Sequence, residues 1–357
     1  MTLGTGTNQF PKTIAALSDG ISRNLHTGGQ ICVRHQGTVI LDAAVGTADQ
    51  FNTMTTAHRM LWRSAGKPLT AAAVCLFIED GLLQLDQPLS RYLSRHSQLT
   101  QTTLRALLSH QSGLPVMDSG WPEHSPEQIL DRIHSQTLGE RKPAYQPQSS
   151  WFVLAELLEQ ADPDKRAWTQ IIEDRVLTPA GIHVSACGLP ENTPEEIRPQ
   201  FFERVRGELV HSTYHEPPWL TRESPGGNYR GPVSELAAFY DWLSGANSGR
   251  LVSLLTSRER IGQFDHTFQH VIDIGLGVIL NSHHHGPKSI PYSYGQHASP
   301  RTFGHGGAQC AMGFHDPQHQ LTVAWAVNGF CGEGMHQRRN RAINEAVYED
   351  HAAQHSQ

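Results

Sequence analysis

The stretch that most constrains the fold is Leu69-Thr70-Ala71-Ala72-Ala73-Val74-Cys75-Leu76-Phe77-Ile78, followed by Glu79-Asp80-Gly81. It is apolar on nearly every helical face, and a helix without a polar face has to be buried. Gly81 suits the left-handed residue that ends such a helix. Pro68 falls in the first turn, where a missing N–H is tolerated. The helix is therefore expected to start at or near Ser64, beside the unpaired N–H groups of its N-terminus. Lys67, three residues on, lies over the same face one turn later. A hydroxyl and an amine a turn apart, at the buried end of a core helix, suit nucleophilic catalysis. Burial disfavours the charged amine and lets it accept the serine proton. Ser-x-x-Lys fixes only two positions in four, however, and alone it reads as a helix cap and a solvated lysine.

A chain of 357 residues can bury a large core, as one large or two fused domains. Its net charge of −6 offers no broad electropositive surface, so neither nucleic acid nor an anionic membrane is an expected partner. The 22 histidines make any single histidine weak grounds for a site. Cys32, Cys75, Cys187, Cys310 and Cys331 are odd in number and nowhere spaced Cys-x-x-Cys, so buried free thiols are expected. Residues 1–12 lack a basic-then-apolar signal pattern, and no apolar run reaches membrane-spanning length. The expected location is cytoplasmic, although a trimmed chain would read the same way.

Along the chain, residues 12–25 have helical periodicity, and Ile31–Val33 and Val39–Leu41 flank a turn at Gln36-Gly37 as a β-hairpin. Residues 82–245 read as mainly helical with long loops. Within them come a short helix from Asp86 towards Leu93, another over Thr102–Leu108, an apolar helix over Ser150–Gln160 and one over Val233–Leu243. The Pro- and acid-rich part at 190–222 reads as a surface excursion. Strand patterns return at Ile272–Leu280, Arg301–Gly307, Ala311–Phe314 and, after a turn at His315-Asp316-Pro317-Gln318, Leu321–Asn328. A helix over Gln337–Tyr348 closes the chain. Strands at both ends with helices between them predict an α+β fold whose sheet is built from both termini, with a mainly helical insertion.

Several other features carry a plainer reading. Ser109-His110 at a helix end reads as a structural turn rather than a nucleophile–base pair. His283-His284-His285, beside Gly286-Pro287-Lys288, reads as a polar loop rather than a metal site. Gly275-x-Gly277 lacks the following helix that a dinucleotide site needs. Trp62, Trp151, Trp219 and Trp325 read as core or pocket wall, and Cys310 as a small buried residue.

Several stretches together resemble the serine β-lactamase and penicillin-binding-protein superfamily, and within it the class C β-lactamase-like group that includes family VIII carboxylesterases. Ser64-Ala65-Gly66-Lys67 stands as the Ser-x-x-Lys motif. Gly81-Leu82-Leu83-Gln84-Leu85-Asp86-Gln87-Pro88 is similar to the Gly-x-Leu-x-Leu-Asp-x-Pro continuation. Leu107-Leu108-Ser109-His110-Gln111-Ser112-Gly113-Leu114-Pro115 is similar to the Leu-Leu-x-His-x-Ser-Gly-Leu-Pro segment. Tyr145 falls where the family carries its catalytic tyrosine, and His305-Gly306-Gly307 where its third motif lies, in the His-x-Gly form common in its esterases. The resemblance runs from roughly residue 10 to 350.

It implies one β-lactamase-like catalytic domain over residues 1–357, with an α/β part at about 10–65 and 265–350 and a helical part at about 66–264. It also implies acyl transfer through Ser64, with Lys67 and Tyr145 sharing the proton work; which of them is the base is left open. The backbone N–H groups of Ser64 and Ala308 would form the oxyanion hole, each lowering the barrier by roughly 3 kcal/mol. His305 would sit over the pocket, bonding to Tyr145 or to substrate, and Gly306 and Gly307 would let the strand approach the substrate. No metal or cofactor is implied. Two departures count against a β-lactamase: Pro147 stands where class C enzymes carry the Asn of Tyr-x-Asn, and His305-Gly306-Gly307 replaces Lys-Thr-Gly. The expected activity is a carboxylesterase acting on small or medium esters. A β-lactamase or D-amino-acid peptidase or amidase, and a non-catalytic binding protein, are the alternatives.

Overall fold

The computed structural model describes residues 2–95, 97–245, 249–286 and 294–354. Its main sheet has seven strands, in the order Thr2–Thr5, Thr38–Gly46, Gly28–His35, Leu321–Val327, Ala311–Asp316, Phe303–Gly307 and Ile279–Leu280. All neighbours are antiparallel, and the two ends of the chain meet where Leu321–Val327 pairs with Gly28–His35. The expected α+β arrangement with a sheet from both termini is what forms. The hairpin turn falls at Gln36 and Gly37, both with positive φ (49° and 80°), the geometry that matches the right-handed twist of its strands.

Alternation along the central strands assigns the two faces. Trp325 donates its indole N–H to Asn344 of the closing helix, Glu333–Gln354, which lies beside Pro11–Ser22 through the Lys12–Glu349 and Thr13–Asp350 contacts. The Cα of Gly313 meets the opposite layer: a methyl there would come within 2.6 Å of the Tyr240 ring on the helix Val233–Ser244. Helices therefore cover both faces. Among the described residues no helix is long and apolar enough to cross a membrane.

The apolar stretch forms the core helix Lys67–Glu79, buried from Lys67 to Cys75 and ended by Gly81 at φ 76°. Ser64 is not in its first turn but in a preceding 3-10 turn, Arg63–Gly66. Expected helices appear at Leu104–Leu108 and Ser149–Ala161, while the segment after Asp86 makes only a 3-10 turn, Leu89–Arg91.

Two expectations need correction. Ile272–Leu280 is not one strand: only Ile279–Leu280 joins the sheet, and Ile274 makes isolated bridges to Arg260 and Ile279. The break is at Gly277, whose φ of 77° turns the chain. A side chain there would meet the Ala71 methyl at 2.5 Å, so the backbone presses directly on the core helix. The 190–222 excursion is not only loop. It holds a hairpin, Phe202–Val205 with Glu208–His211, that pairs in parallel with Gly329–Phe330. Pro287 and Lys288, part of the expected polar loop, lie outside the described residues.

The turn after Ala311–Asp316 is held by one carboxylate. Buried Asp316 accepts from the Ser299 N–H and hydroxyl (2.8 and 2.6 Å), the Gln318 N–H (3.1 Å) and the Tyr348 hydroxyl (2.8 Å). Burial pushes this carboxyl up, but hydrogen bonds from Ser299, Tyr348 and Thr302 more than reverse it, and its pKa lies below the ordinary value. The unfolded chain thus binds this proton more readily, and the stabilisation is present above about pH 4 and lost as pH falls through the depressed value. Asp316→Ala is expected to reduce stability by about 3 kcal/mol at pH 7 in denaturant unfolding, with a smaller deficit at pH 3. An equal deficit at both pH values would show that the charge is not what holds the turn.

Candidate active site

Ser64 and Lys67 face each other across the joint between the 3-10 turn and the core helix. The Lys67 amine lies 3.0 Å from the Ser64 hydroxyl oxygen, and two backbone carbonyls, Pro147 (2.6 Å) and Gly226, also accept from it. Lys67 is fully buried, and among the described residues no carboxylate pairs with it. Burial without a counter-ion drives its pKa well below the ordinary lysine value. The carbonyls have a directional consequence. They can only accept, so in the neutral form of the amine they would take its two hydrogens and leave its lone pair towards Ser64.

The Gly226 carbonyl is positioned by the core helix itself. Thr70, one turn past Lys67, donates its hydroxyl to the Pro225 carbonyl (2.7 Å) and touches the Tyr229 hydroxyl (3.0 Å). The Pro147 carbonyl comes from the segment that starts the helix Ser149–Ala161, and the Trp151 indole of that helix donates to the Gln146 carbonyl (3.1 Å).

Tyr145 reaches the same point from the far side. Its ring lies against Phe268 (4.5 Å) and His110 (4.8 Å), with His305 at 5.8 Å. Burial drives its phenol pKa well up; a hydrogen bond with Ser64 pulls the other way, and the Asp265 charge adds to the rise. The phenol is therefore protonated at neutral pH.

His305 and Gly307 sit differently from expectation. The His305 Nδ1 bonds to the neighbouring Gly306 carbonyl (2.8 Å), so Nδ1 carries the hydrogen and only Nε2 is left for the expected bond to Tyr145 or to substrate. Burial lowers its pKa to about 3, leaving a neutral imidazole with Nε2 as an acceptor. The missing side chain of Gly307 serves the protein's own backbone: a methyl there would lie 2.1 Å from the Trp62 carbonyl oxygen. That approach sets the end of Phe303–Gly307 against the turn carrying Ser64. Ala308 follows, half-buried, in the turn to the next strand.

Three supporting groups stand around the site, and the sequence reading gave a part only to His110, as a structural turn. Asp265 and Arg260 are both fully buried and paired at 2.7 Å. The Asp265 carboxylate also accepts from the Tyr145 N–H (3.0 Å), Thr267 N–H (2.8 Å) and Phe268 N–H (2.8 Å), while Thr267 donates its hydroxyl to the Tyr145 carbonyl (2.9 Å). One buried carboxylate thus holds both the tyrosine and the phenylalanine stacked on it. His110, with φ 58°, accepts from the Gln146 N–H at its Nδ1 (3.1 Å), so Ser109-His110 is a structural turn that steadies the residue after Tyr145. Arg63 takes a φ of 46°, unusual without glycine, and its guanidinium is clamped between Tyr214 (4.2 Å) and Phe330 (4.1 Å). Asp265 and Arg63 have no local signal, because Tyr145, Tyr214 and Phe330 lie more than a hundred residues from them.

Ser64, Lys67 and Tyr145 thus meet at one point of an α+β fold. The family model described as Beta-lactamase matches residues 14–348, and the chain belongs to that family. PbpX of Bacillus subtilis (strain 168), a penicillin-binding protein by its name, is 27% identical over 193 residues, covering 52% of this chain and 47% of PbpX. The chain thus spans about half the length of that curated relative. Among solved structures, EstCE1, a hydrolase with promiscuous acyltransferase activity, superposes with a TM-score of 0.79 at 19% identity, over 96% of this chain and 99% of EstCE1. A family VIII carboxylesterase gives 0.77 at 18%, over 98% and 100%. The D-amino acid amidase of Ochrobactrum anthropi SV3 gives 0.77 at 18%, over 98% and 99%. At these identities the likeness is one of fold.

Removing the Asp265 charge leaves a buried guanidinium without its partner. Asp265→Asn is expected to lower unfolding stability by about 3 kcal/mol, with part of the loss recovered in Asp265→Asn/Arg260→Met. A neutral single variant in chemical unfolding would mean that the pair does not hold this loop.

Proposed function

We propose that the chain is a serine hydrolase that cleaves small carboxylic esters through an acyl-enzyme on Ser64, its sheet and helical parts acting as one catalytic domain. The observation that carries this reading is the Lys67 amine, buried without a counter-ion and aimed at the Ser64 hydroxyl by two carbonyls. Lys67 is then the base. Ser64 Oγ attacks the ester carbonyl carbon as its proton passes to Lys67 Nζ. The carbonyl π pair moves to oxygen, and the N–H groups of Ser64 and Ala308 receive that oxyanion.

As the tetrahedral intermediate collapses, the bond to the alcohol oxygen breaks. The Tyr145 hydroxyl, protonated at neutral pH, donates to that oxygen and is reprotonated from Lys67. Water then enters, gives a proton to the same relay and attacks the acyl carbon; the Ser64–acyl bond breaks, and Ser64 takes the proton back. A tyrosinate base is disfavoured because burial raises the phenol pKa and lowers that of the amine.

Esters rather than β-lactams fit the surroundings. Pro147 has no side-chain amide, and its carbonyl is committed to Lys67. His305 is neutral, so the third motif supplies no fixed positive charge for a substrate carboxylate. His305, Gly306 and Gly307 would line the substrate side through the free Nε2 and the backbone. An alcohol leaving group also needs less help from a general acid than an amine does.

Intact mass after a fluorophosphonate probe is expected to show one adduct that is absent in Ser64→Ala. Hydrolysis of p-nitrophenyl acetate and butyrate should fall at least about a thousandfold in the same variant. Nitrocefin turnover should be far slower than ester turnover. Undiminished ester hydrolysis by Ser64→Ala would refute the assignment, and faster nitrocefin turnover would favour the β-lactamase alternative. Tyr145→Phe should cost about a hundredfold in kcat.

The pH profile tests the base. Only neutral Lys67 accepts a proton, and its folded pKa lies well below 10.5. Activity is therefore expected to rise with pH through that lowered value and to be level well before pH 10, in initial rates corrected for spontaneous hydrolysis. A rise that continues past pH 10 would return the base role to Tyr145.

A further inference from the structure

A second cluster lies at the sheet edge, apart from Ser64, where the His283–His285 turn follows the strand Ile279–Leu280. Asp273 is fully buried, and its backbone is locked to that strand and turn. The Leu280 N–H donates to the Asp273 carbonyl (2.9 Å), and the Asp273 N–H donates to the Ser282 hydroxyl (2.9 Å). The turn itself is pinned by Asn281, which accepts from the His283 N–H (3.1 Å) and donates to the Ser299 carbonyl (2.8 Å). On this base the His285 Nε2 lies 2.9 Å from Asp273 Oδ1, and the His284 Nε2 lies 3.3 Å from Oδ2. The two imidazole rings are 3.8 Å apart at their centroids, and the three ligand atoms all lie within 4.8 Å of one another.

We propose that Asp273, His284 and His285 form a binding site for one divalent transition-metal ion. Donor atoms bound about 2.1 Å from a shared ion, at angles of about 90–105°, stand about 3 Å apart, which is the spacing of each nitrogen from its carboxylate oxygen here. Two imidazoles and one carboxylate select Zn2+, Co2+ or Ni2+ over the hard cations Ca2+ and Mg2+, which take oxygen ligands. A plain pair of ion contacts explains the geometry less well. It would crowd two imidazole N–H groups, on rings 3.8 Å apart and tilted by 47°, against a carboxylate that already accepts from the Gly262 N–H (2.9 Å) and faces Arg258 at 3.4 Å. A metal replaces both ring protons with one shared charge. The Arg258 side chain, 54% exposed, has solvent to move into when an ion binds, while His284, 53% exposed, leaves an open side for water ligands.

The site would act as a clip. Asp273 already closes the segment 262–273 through Gly262, and that segment carries Asp265 and Phe268, which hold Tyr145. Bound metal joins it to the 283–285 turn and so stabilises the folded chain without touching the reacting atoms.

The test uses the full chain without an affinity tag, freed of metal by chelator and dialysis. Co2+ is added and followed by visible ligand-field absorption and by equilibrium dialysis. The expected result is one Co2+ per chain, an absorption band from mixed nitrogen and oxygen ligands, and a metal-dependent rise in unfolding temperature. His284→Ala and His285→Ala, both at positions with exposed side-chain area, should each lose the band and the thermal shift. Dissociation constants should rise at least about tenfold. Wild-type chain that takes up no stoichiometric Co2+ overturns the proposal. So does either variant that keeps the band and affinity, since that would place the ion on other histidines among the 22.

Discussion

A lysine amine buried without a carboxylate is the constraint around which this molecule is arranged. Lys67 opens the core helix, and its Nζ is held by the Pro147 and Gly226 carbonyls and the Ser64 hydroxyl. An isolated buried ammonium is strongly unfavourable, so burial drives the pKa of this amine well below its ordinary value. Three segments far apart in sequence have to converge to make that environment. The 3-10 turn supplies the hydroxyl, the start of the Ser149–Ala161 helix one carbonyl, and the loop before Tyr229 the other. The cost of burying Lys67 is met by the same contacts that aim its lone pair. Structure and chemistry are therefore not separable at this point.

Around the amine lies a set of supports, each of which does one thing. Thr70 holds the 225–226 backbone, Asp265 holds Tyr145 and Phe268, and Gly307 brings the sheet edge onto the Trp62 carbonyl. The Asp265–Arg260 pair is buried on both sides, so it weighs more in specifying the Tyr145 loop than in adding stability. Its charges cancel where a lone carboxylate would disturb the phenol further. The clamp on Arg63 has a similar character, an aromatic pair holding a left-handed residue immediately before Ser64.

His305 shows how a family likeness and a physical environment combine. The motif placed this residue beside the reactive groups, and the fold does bring its ring near Tyr145. Burial then decides what it can do. With its proton committed to the Gly306 carbonyl and its pKa lowered to about 3, it is an acceptor and a wall rather than a cation. Glycines in the same motif divide their work: Gly306 orients the histidine through its carbonyl, and Gly307 allows the close approach of two backbones.

The sequence by itself determined the elements whose cause is local. The all-round apolar stretch dictated a buried helix, Gly81 ended it, Gln36-Gly37 made a tight hairpin, and strands at both termini implied a shared sheet. The spacing of Ser64 and Lys67 put hydroxyl and amine within reach, because one helical turn does that anywhere. Tertiary structure alone decided the rest. It broke Ile272–Leu280 at Gly277, because the neighbouring core helix needs the backbone there, and it paired the 202–211 hairpin with Gly329–Phe330. It also assembled Asp265 with Tyr145, 120 residues away, and set two histidines of a polar turn on a buried aspartate. Periodicity and turn chemistry act over a few residues, whereas burial, protonation and ligand geometry depend on neighbours that only the folded chain brings together.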